Sequence, residues 1–402
     1  MADSRNIEDP GAARILEIVR RRAEEQVEFL ISLCEINSYT WNKSGTDAVS
    51  RLIVENLEGV LPYHRIAEQT EVGDHHILSS GKEGKAVYLL GHTDTVFPPD
   101  HPFQNCRRDR EWLYGPGTAD MKGGLAVMVY ALRALHEAGL SAPLNLTMIL
   151  GSDEETGAAT SRTIYEEEHG KARACLVGEC AGENGEIVIS RNGKAGGRLE
   201  STGVDRHVGS GSGDKTSAIL ELAHQIIAME SLNGFRPGIT VNVGRIDGGL
   251  GPATVASRAE CMIDLRWEEE EHYLILLEQV KQISSHRHQA VASSRFTLLN
   301  HRPAMRAGPG TEELFQRLQR VATRLGQKVV PTHRLGTSDG NFFGAAGVPT
   351  LDGFGPIGEK DHTVAERIKI VSLQERTALL ALFLLDLKQD DLTNGHVPAD
   401  DC

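Results

Sequence analysis

The sequence predicts an α/β fold: a sheet covered by helices on both faces, with a smaller α+β module inserted into it. Three observations carry this expectation. Short apolar runs of strand length alternate with helix-length amphipathic segments through the first half of the chain. After Lys194 the pattern shifts to longer, half-exposed strands, and after Gly308 the first pattern returns. The 402 residues also exceed what one ordinary core accommodates, so two domains are expected. The expected division is 1–193 for the first part of the main domain, 194–308 for the inserted module and 309–402 for the second part.

In chain order, Ile15, Leu16, Val19, Val27, Leu30 and Ile31 recur at helical spacing and predict a helix over 13–36. A second helix is expected from Ser44 or Thr46 to Gly59, with a polar N-cap and a glycine stop. Ala86–Leu90 reads as a buried strand, Gly123–Ala138 as a helix closed by Gly139, and Leu144–Leu150 and Ala174–Gly178 as strands. In the module, Gly197–Thr202, Ile239–Ile246 and Ala259–Arg266 read as strands, with helices near Thr216–Met229 and Glu268–Ser284. Beyond it come a helix from Thr311, short strands near Lys328–Val330 and at Val348–Leu351, and a final helix from Val371. The polar tail after Lys388 is expected to fray.

Composition narrows the function. Hydrophobic residues at 40% and charged residues at 24% suit a soluble globular chain. A net charge of −14 argues against a nucleic-acid or anionic-membrane partner, because phosphate binding needs clustered Lys and Arg. Met1–Arg14 is polar and has no apolar h-region, so no signal peptide is expected. The longest apolar run, Ala378–Leu385, is far too short to span a bilayer. None of the six cysteines forms a CxxC pair; they are expected to be reduced, in the cytoplasm, with Cys175 and Cys261 in the core.

The chemistry sits where strands end, which is where open α/β sheets bind ligands. Ala86–Leu90 runs into Gly91-His92-Thr93-Asp94, whose alternate spacing suits a metal-binding imidazole oriented by a carboxylate. Gly115–Gly124 delivers Asp120 to the start of a helix, where it is either an N-cap or a carboxylate bridging two ions. Leu144–Leu150 runs into Asp153-Glu154-Glu155; three adjacent carboxylates are either a solvated helix start or a site whose repulsion a cation offsets. Ala174–Gly178 delivers Glu179, and the loop Gly355–Thr363 supplies His362. Each segment alone has a bland reading. Together they offer mixed oxygen and nitrogen ligands suited to zinc or a similar ion, in number sufficient for two.

Gly91–Pro98, Gly115–Gly124, Asp153–Gly157, Gly336–Phe343 and Gly355–His362 stand in an order and spacing that resembles the M20 metallopeptidases. Within that family the chain is similar to the branch of glutamate carboxypeptidases, with acetylornithine and succinyl-diaminopimelate deacylases as relatives, from about residue 15 to 388. The resemblance implies a doubly wound, mixed-sheet catalytic domain, with the inserted module as lid and dimerisation domain. It implies two divalent ions, zinc first and cobalt or manganese as alternatives. His92 and Glu179 are then ligands of different ions, Asp120 bridges, and Glu155 and His362 complete the two spheres. Asp94 orients His92, and Glu154 is the general base that carries a proton from water to the leaving nitrogen.

The resemblance also assigns substrate residues. His207, in Arg206-His207-Val208-Gly209, matches a lid histidine given by a partner subunit to stabilise the oxyanion. Arg266 and Arg302 match arginines that pair with the substrate carboxylate, a task suited to the planar guanidinium fork. Gly336, Thr337 and Ser338 match a loop that holds the same carboxylate. Three positions depart from the pattern: Ala253 for the usual lid asparagine, Cys180 for a proline, and Asp361 for a small residue.

The implied activity is hydrolysis of an amide bond beside a free carboxylate, releasing a C-terminal amino acid such as glutamate. An N-acyl amino acid deacylase is the alternative within the same chemistry. A non-catalytic binding protein on the same fold is the alternative of another class; it predicts a missing ligand or base, and none is missing. The expected partners are a small acyl amino acid or peptide and a second copy of the chain.

Overall fold

The computed structural model describes residues 9–210 and 215–388. The tail expected to fray lies outside the described residues, as does most of Met1–Arg14. The chain divides into two compact units, one of 1–189, 307–333 and 338–402, the other of 190–306 and 334–337.

The larger unit is built on an eight-stranded sheet. Its strands are β1 (Tyr63–Ala67), β2 (His75–Ser79), β3 (Ala86–His92), β4 (Leu146–Gly151), β5 (Ala172–Val177), β6 (Glu186–Arg191), β11 (Val330–Arg334) and β12 (Thr350–Asp352), in the order β1-β2-β4-β3-β5-β12-β6-β11. β4, β3, β5 and β12 run parallel, while β2 pairs with β4 and β6 with β12 antiparallel. The sheet is therefore mixed. Val87 and Leu89 of β3 face one hydrophobic cluster, and Tyr88 and Leu90 face another. A strand buried on both faces explains why Ala86–Leu90 is continuously apolar.

Helices α1 (Pro10–Arg21), α2 (Ala23–Cys34), α3 (Lys43–Leu57), α4 (Lys122–Glu137), α8 (Pro309–Arg324) and α10 (Ile370–Lys388) contribute to the first cluster; α5 (Arg162–Glu168) and α9 (Gly340–Ala345) contribute to the second. The single helix expected over 13–36 is two. The backbone leaves helical geometry at Arg22 (φ −95°, ψ 8°), whose guanidinium reaches Glu137 at 2.8 Å. The next helix starts earlier than expected, because the Asn42 side chain accepts from Gly45 N, and it ends at Leu57 rather than Gly59.

The smaller unit carries β7 (Gly193–Thr202), β8 (Thr240–Gly248), β9 (Arg258–Trp267) and β10 (Ser293–Arg302) in the order β8-β9-β7-β10, all antiparallel. Burial alternates strictly along β9, so one face is apolar and covered. Leu199, Cys261, Ile263 and Leu265 of that face pack with Leu222 and Met229 of α6 (Ala218–Glu230) and Leu276 and Val280 of α7 (Glu270–Ser285). Cys175 and Cys261 are both buried in cores.

Candidate metal centre

The parallel strands β3, β4, β5 and β12 deliver their following loops to one edge of the sheet. α4 comes very close to that edge: a Cβ on Gly124 would lie 1.6 Å from the Gly178 carbonyl oxygen, so only glycine allows it. This approach sets the segment before α4 beside the end of β5.

His92 closes β3 and is buried. Its Nδ1 lies 3.0 Å from the Asp94 carbonyl and 3.3 Å from the Asp94 carboxylate. Both are acceptors, so Nδ1 carries the hydrogen and Nε2 is left for a ligand. Asp94 lies beyond the strand rather than on its pleat, and it binds several groups at once. Its carboxylate accepts from Thr40 Oγ1 at 2.7 Å and from the amides of Glu154 and Glu155 at 3.2 and 3.3 Å. It thereby ties the loop after β3 to the loop after β4.

Asp120 does not cap α4, whose N-cap residue is Met121. Its Oδ1 is 3.0 Å from His92 Nε2 and its Oδ2 is 3.0 Å from His362 Nε2. Glu179 Oε1 stands 3.7 Å from His92 Nε2, and Glu155 Oε2 stands 3.2 Å from His362 Nε2. Two triads thus share one carboxylate: His92, Asp120 and Glu179, and His362, Asp120 and Glu155. Ligand atoms of His92, Asp120 and Glu155 converge within 4.8 Å of one another.

Asp153 is expected, with its two neighbours, to form a run of mutual repulsion. It turns away instead. Its carboxylate accepts from Thr160 N and Oγ1 and from Ser161 Oγ, and so organises the turn below the site. Glu154 opens the 3-10 turn Glu154–Thr156, and after burial and the charge of Asp120 it is a lesser cause of the raised pKa of both Glu155 and Glu179.

The protonation pattern tests whether an ion fits. Burial, then the charge of Asp120, pushes Glu155 up to about 8 and Glu179 well above the carboxylate range. Hydrogen bonds to Asp120 and Glu155 push His362 up to about 11. Burial opposes charge on His92, yet Asp120 and Asp94 still hold its pKa well above the usual value. Glu155 Oε1 is buried with no hydrogen-bond partner. Protons here offset a buried excess of negative charge, a task divalent cations perform better while also satisfying the orphaned oxygen. The residues fit a pair of ions.

Glu366 was not legible as part of this site. It is buried, and its carboxylate accepts from the amides of Gly117, Ala119 and Asp120 at 3.2, 2.8 and 3.1 Å. It holds the backbone that presents Asp120. No motif marks it; a buried acid far along the chain shows its purpose only once folded.

His207, Arg266, Arg302, Gly336 and Thr337 belong to the smaller unit. His207 is exposed, and its Nδ1 accepts from Gly209 N at 3.0 Å, which leaves the hydrogen on Nε2. Arg266 donates to Asp264 at 2.7 Å and to the Leu335 carbonyl at 3.3 Å. Arg302, buried, donates to Thr337 Oγ1 at 3.4 Å. Arg191, which no sequence motif marks, donates to the Gly336 carbonyl at 3.0 Å. Three guanidinium groups therefore meet three successive residues of one loop. Ser338 lies in the larger unit, where its buried hydroxyl donates to Asp352 at 2.7 Å. Of the departing positions, Ala253 keeps a backbone role, accepting from Val208 N at 2.9 Å.

Residues 88–386 match the model of peptidase family M20/M25/M40. The chain belongs to the M20 family. It is 25% identical over 314 residues to carboxypeptidase G2 of Pseudomonas sp. (strain RS-16), covering 76% of this chain and 75% of that protein. It is 29% identical over 328 residues to succinyl-diaminopimelate desuccinylase of Nitrosococcus oceani, covering 76% and 85%. Its fold matches the M20 family metallo-carboxypeptidase of Sulfolobus solfataricus with a TM-score of 0.70 at 16% identity, over 90% of this chain and 99% of the other. Like its family, this M20 chain is a metal-dependent hydrolase of amide bonds.

Proposed function

We propose that the chain is a dinuclear metallocarboxypeptidase that releases a C-terminal amino acid, glutamate foremost, from a peptide or N-acyl substrate. The observation that carries this reading is Asp120, with one carboxylate oxygen facing His92 and the other facing His362. His92, Asp120 and Glu179 would hold one ion, and His362, Asp120 and Glu155 the other. Zinc is the ion proposed, since imidazole and carboxylate together suit it, with cobalt or manganese as substitutes. The ions would supply Lewis acidity, making water nucleophilic and polarising the amide carbonyl.

The protein's own residues do the rest. Glu154, beside both triads, takes the proton from the attacking water and returns it to the nitrogen as the C–N bond breaks. Asp94 fixes the His92 tautomer, and Glu366 fixes the Asp120 backbone. His207, with its hydrogen on Nε2, is suited to donate to the oxyanion. Arg191, Arg266 and Arg302, gathered along residues 335–337, suit the carboxylates of an acidic leaving amino acid. The test is a panel of N-acyl amino acids and dipeptides with Zn, Co or Mn, read by the freed amine. C-terminal glutamate is expected to be cleaved fastest; faster cleavage of uncharged C-terminal residues would overturn the glutamate assignment.

A second reading, an N-acyl amino acid deacylase, is favoured by the similarity to a desuccinylase over 85% of its length. The same panel separates the two by whether rate follows the acyl group or the released amino acid.

The enzyme is further proposed to be a cytoplasmic homodimer that acts on a small molecule rather than a nucleic acid or membrane. Support for the dimer comes from β8, an edge strand of its sheet, and from Ile219, Leu220 and Ile227, exposed on α6. Support for the compartment comes from the unbridged thiols of Cys34, Cys106, Cys175 and Cys261. Net charge −14 supports the choice of partner. No helix among the described residues is long and apolar enough to cross a membrane. If His207 serves the partner's site, exchanged His207→Ala and Glu154→Gln subunits recover about a quarter of wild-type activity, since about half the dimers hold one working site. Proven heterodimers without recovery would contradict that arrangement.

A further inference from the structure

We propose that His224, His286 and His288 form a binding site for one further divalent transition-metal ion, a clip between α6 and the connection that follows α7. All three side chains are exposed in the smaller unit. The rings of His224 and His288 stack with centroids 4.6 Å apart at 16°, and those of His286 and His288 meet edge-on at 4.6 Å and 79°. His288 is thus the central ring of a cluster of three imidazoles.

The backbone behind the rings is already fixed. Glu221, fully buried on α6, accepts from the His288 amide at 2.9 Å and the Gln289 amide at 3.0 Å. Gln289 returns the tie, exchanging hydrogen bonds of 2.8 Å each with the Ser217 amide and carbonyl at the start of α6. Gln225, one helical turn beyond Glu221, donates to the His286 carbonyl at 3.2 Å. The segment carrying His286 and His288 is therefore held against the helix carrying His224, and only the exposed rings remain to be ordered by a ligand. Pre-organisation of this kind lowers the entropy lost on binding.

Imidazole is a good ligand for zinc, copper and nickel, with metal–nitrogen distances of about 2.0–2.1 Å. Coordination requires each exposed ring to turn about its side-chain bonds until one nitrogen of each faces a common ion, with water completing the sphere. None of these residues belongs to the catalytic machinery, so the site stands independently of the proposed reaction.

The test uses the full-length enzyme with its tightly held ions in place, dialysed and then titrated with Zn²⁺. Equilibrium dialysis with elemental analysis is expected to find one further ion per chain, and a His224→Gln/His288→Gln double variant is expected to bind it at least tenfold more weakly. Added Zn²⁺ should raise the Tm of the wild type and leave that of the variant unmoved, with hydrolysis retained in both. Equal uptake by the two proteins would overturn the proposal. A second measurement needs no variant: Cu²⁺ added to the same loaded enzyme should give a paramagnetic resonance spectrum split by several imidazole nitrogens. A spectrum with no nitrogen splitting would overturn it as well.

Discussion

His92 and His362 face each other across a single carboxylate: Asp120 stands 3.0 Å from each imidazole Nε2, one oxygen to each ring. The two histidines come from a strand end and a loop 270 residues apart in sequence (362 − 92). Every step of the proposed chemistry depends on that shared carboxylate.

Glu154→Gln removes a proton carrier and no ligand. Turnover should fall on the order of 10²–10⁴-fold, while metal content and substrate KM stay close to wild type. Retention of most of kcat, measured at saturating substrate, would show that another group serves as base.

Glu366→Ala tests a positioning role. It leaves three buried amide donors, those of Gly117, Ala119 and Asp120, without their acceptor. Each loss costs about 1–3 kcal/mol, so Tm should drop. Metal affinity should fall about 10–100-fold, the usual effect of removing a group that orients a ligand. A variant that loses Tm but binds metal as tightly as wild type would reduce Glu366 to a purely structural group.

Much of this site was legible because its ligands follow predictable strands. Ala86–Leu90 and Ala174–Gly178 are continuous apolar runs, Leu144–Leu150 is apolar but for Asn145 and Thr147, and His92, Glu155 and Glu179 stand just beyond them. Local sequence could not say which of Asp153, Glu154 and Glu155 turns inward; the hydrogen bonds from Thr160 and Ser161 decide that. Glu366 and Arg191 were illegible, since their partners lie as far as 249 and 145 residues away. The edge strands β1 and β10 are not legible because their side chains are exposed or half-buried almost throughout, leaving no strong alternation to read. The helix break at Arg22 is not legible for the opposite reason: apolar periodicity continues on both sides of it.

Arg191, Arg266 and Arg302 should act on substrate capture. Alanine at any of them should lower kcat/KM for C-terminal glutamate substrates about 10–100-fold, the range for a lost hydrogen bond to a charged group. Lysine should rescue Arg266 and Arg302 poorly, because a point charge lacks the guanidinium fork. Unchanged kcat/KM on a neutral-ended substrate series would locate the loss at the carboxylate; equal losses on both series would argue for a folding role.

His76 provides a pH-dependent term in stability. Burial, then the neighbouring His64, lowers its pKa from 6.5 to about 4, and the two rings share a hydrogen bond of 2.7 Å. The folded state therefore binds fewer protons than the unfolded state, so this contribution is full above 6.5 and is lost as pH falls toward 4. From pH 7 to pH 5 the loss is about 1–2 kcal/mol once partial exposure is allowed for. Denaturant unfolding of wild type and His76→Asn at both pH values should show a flatter dependence in the variant. Parallel curves would remove His76 from the acid response.

Metal content after exhaustive dialysis, compared between wild type and Asp120→Ala, tests the shared carboxylate most directly. Wild type should retain two ions per chain by elemental analysis. Asp120→Ala, deprived of the oxygen that serves each triad, should retain neither in full, while His362→Ala should lose chiefly one. One ion or fewer in wild type, or two ions still held by Asp120→Ala, would contradict a dinuclear centre bridged by Asp120.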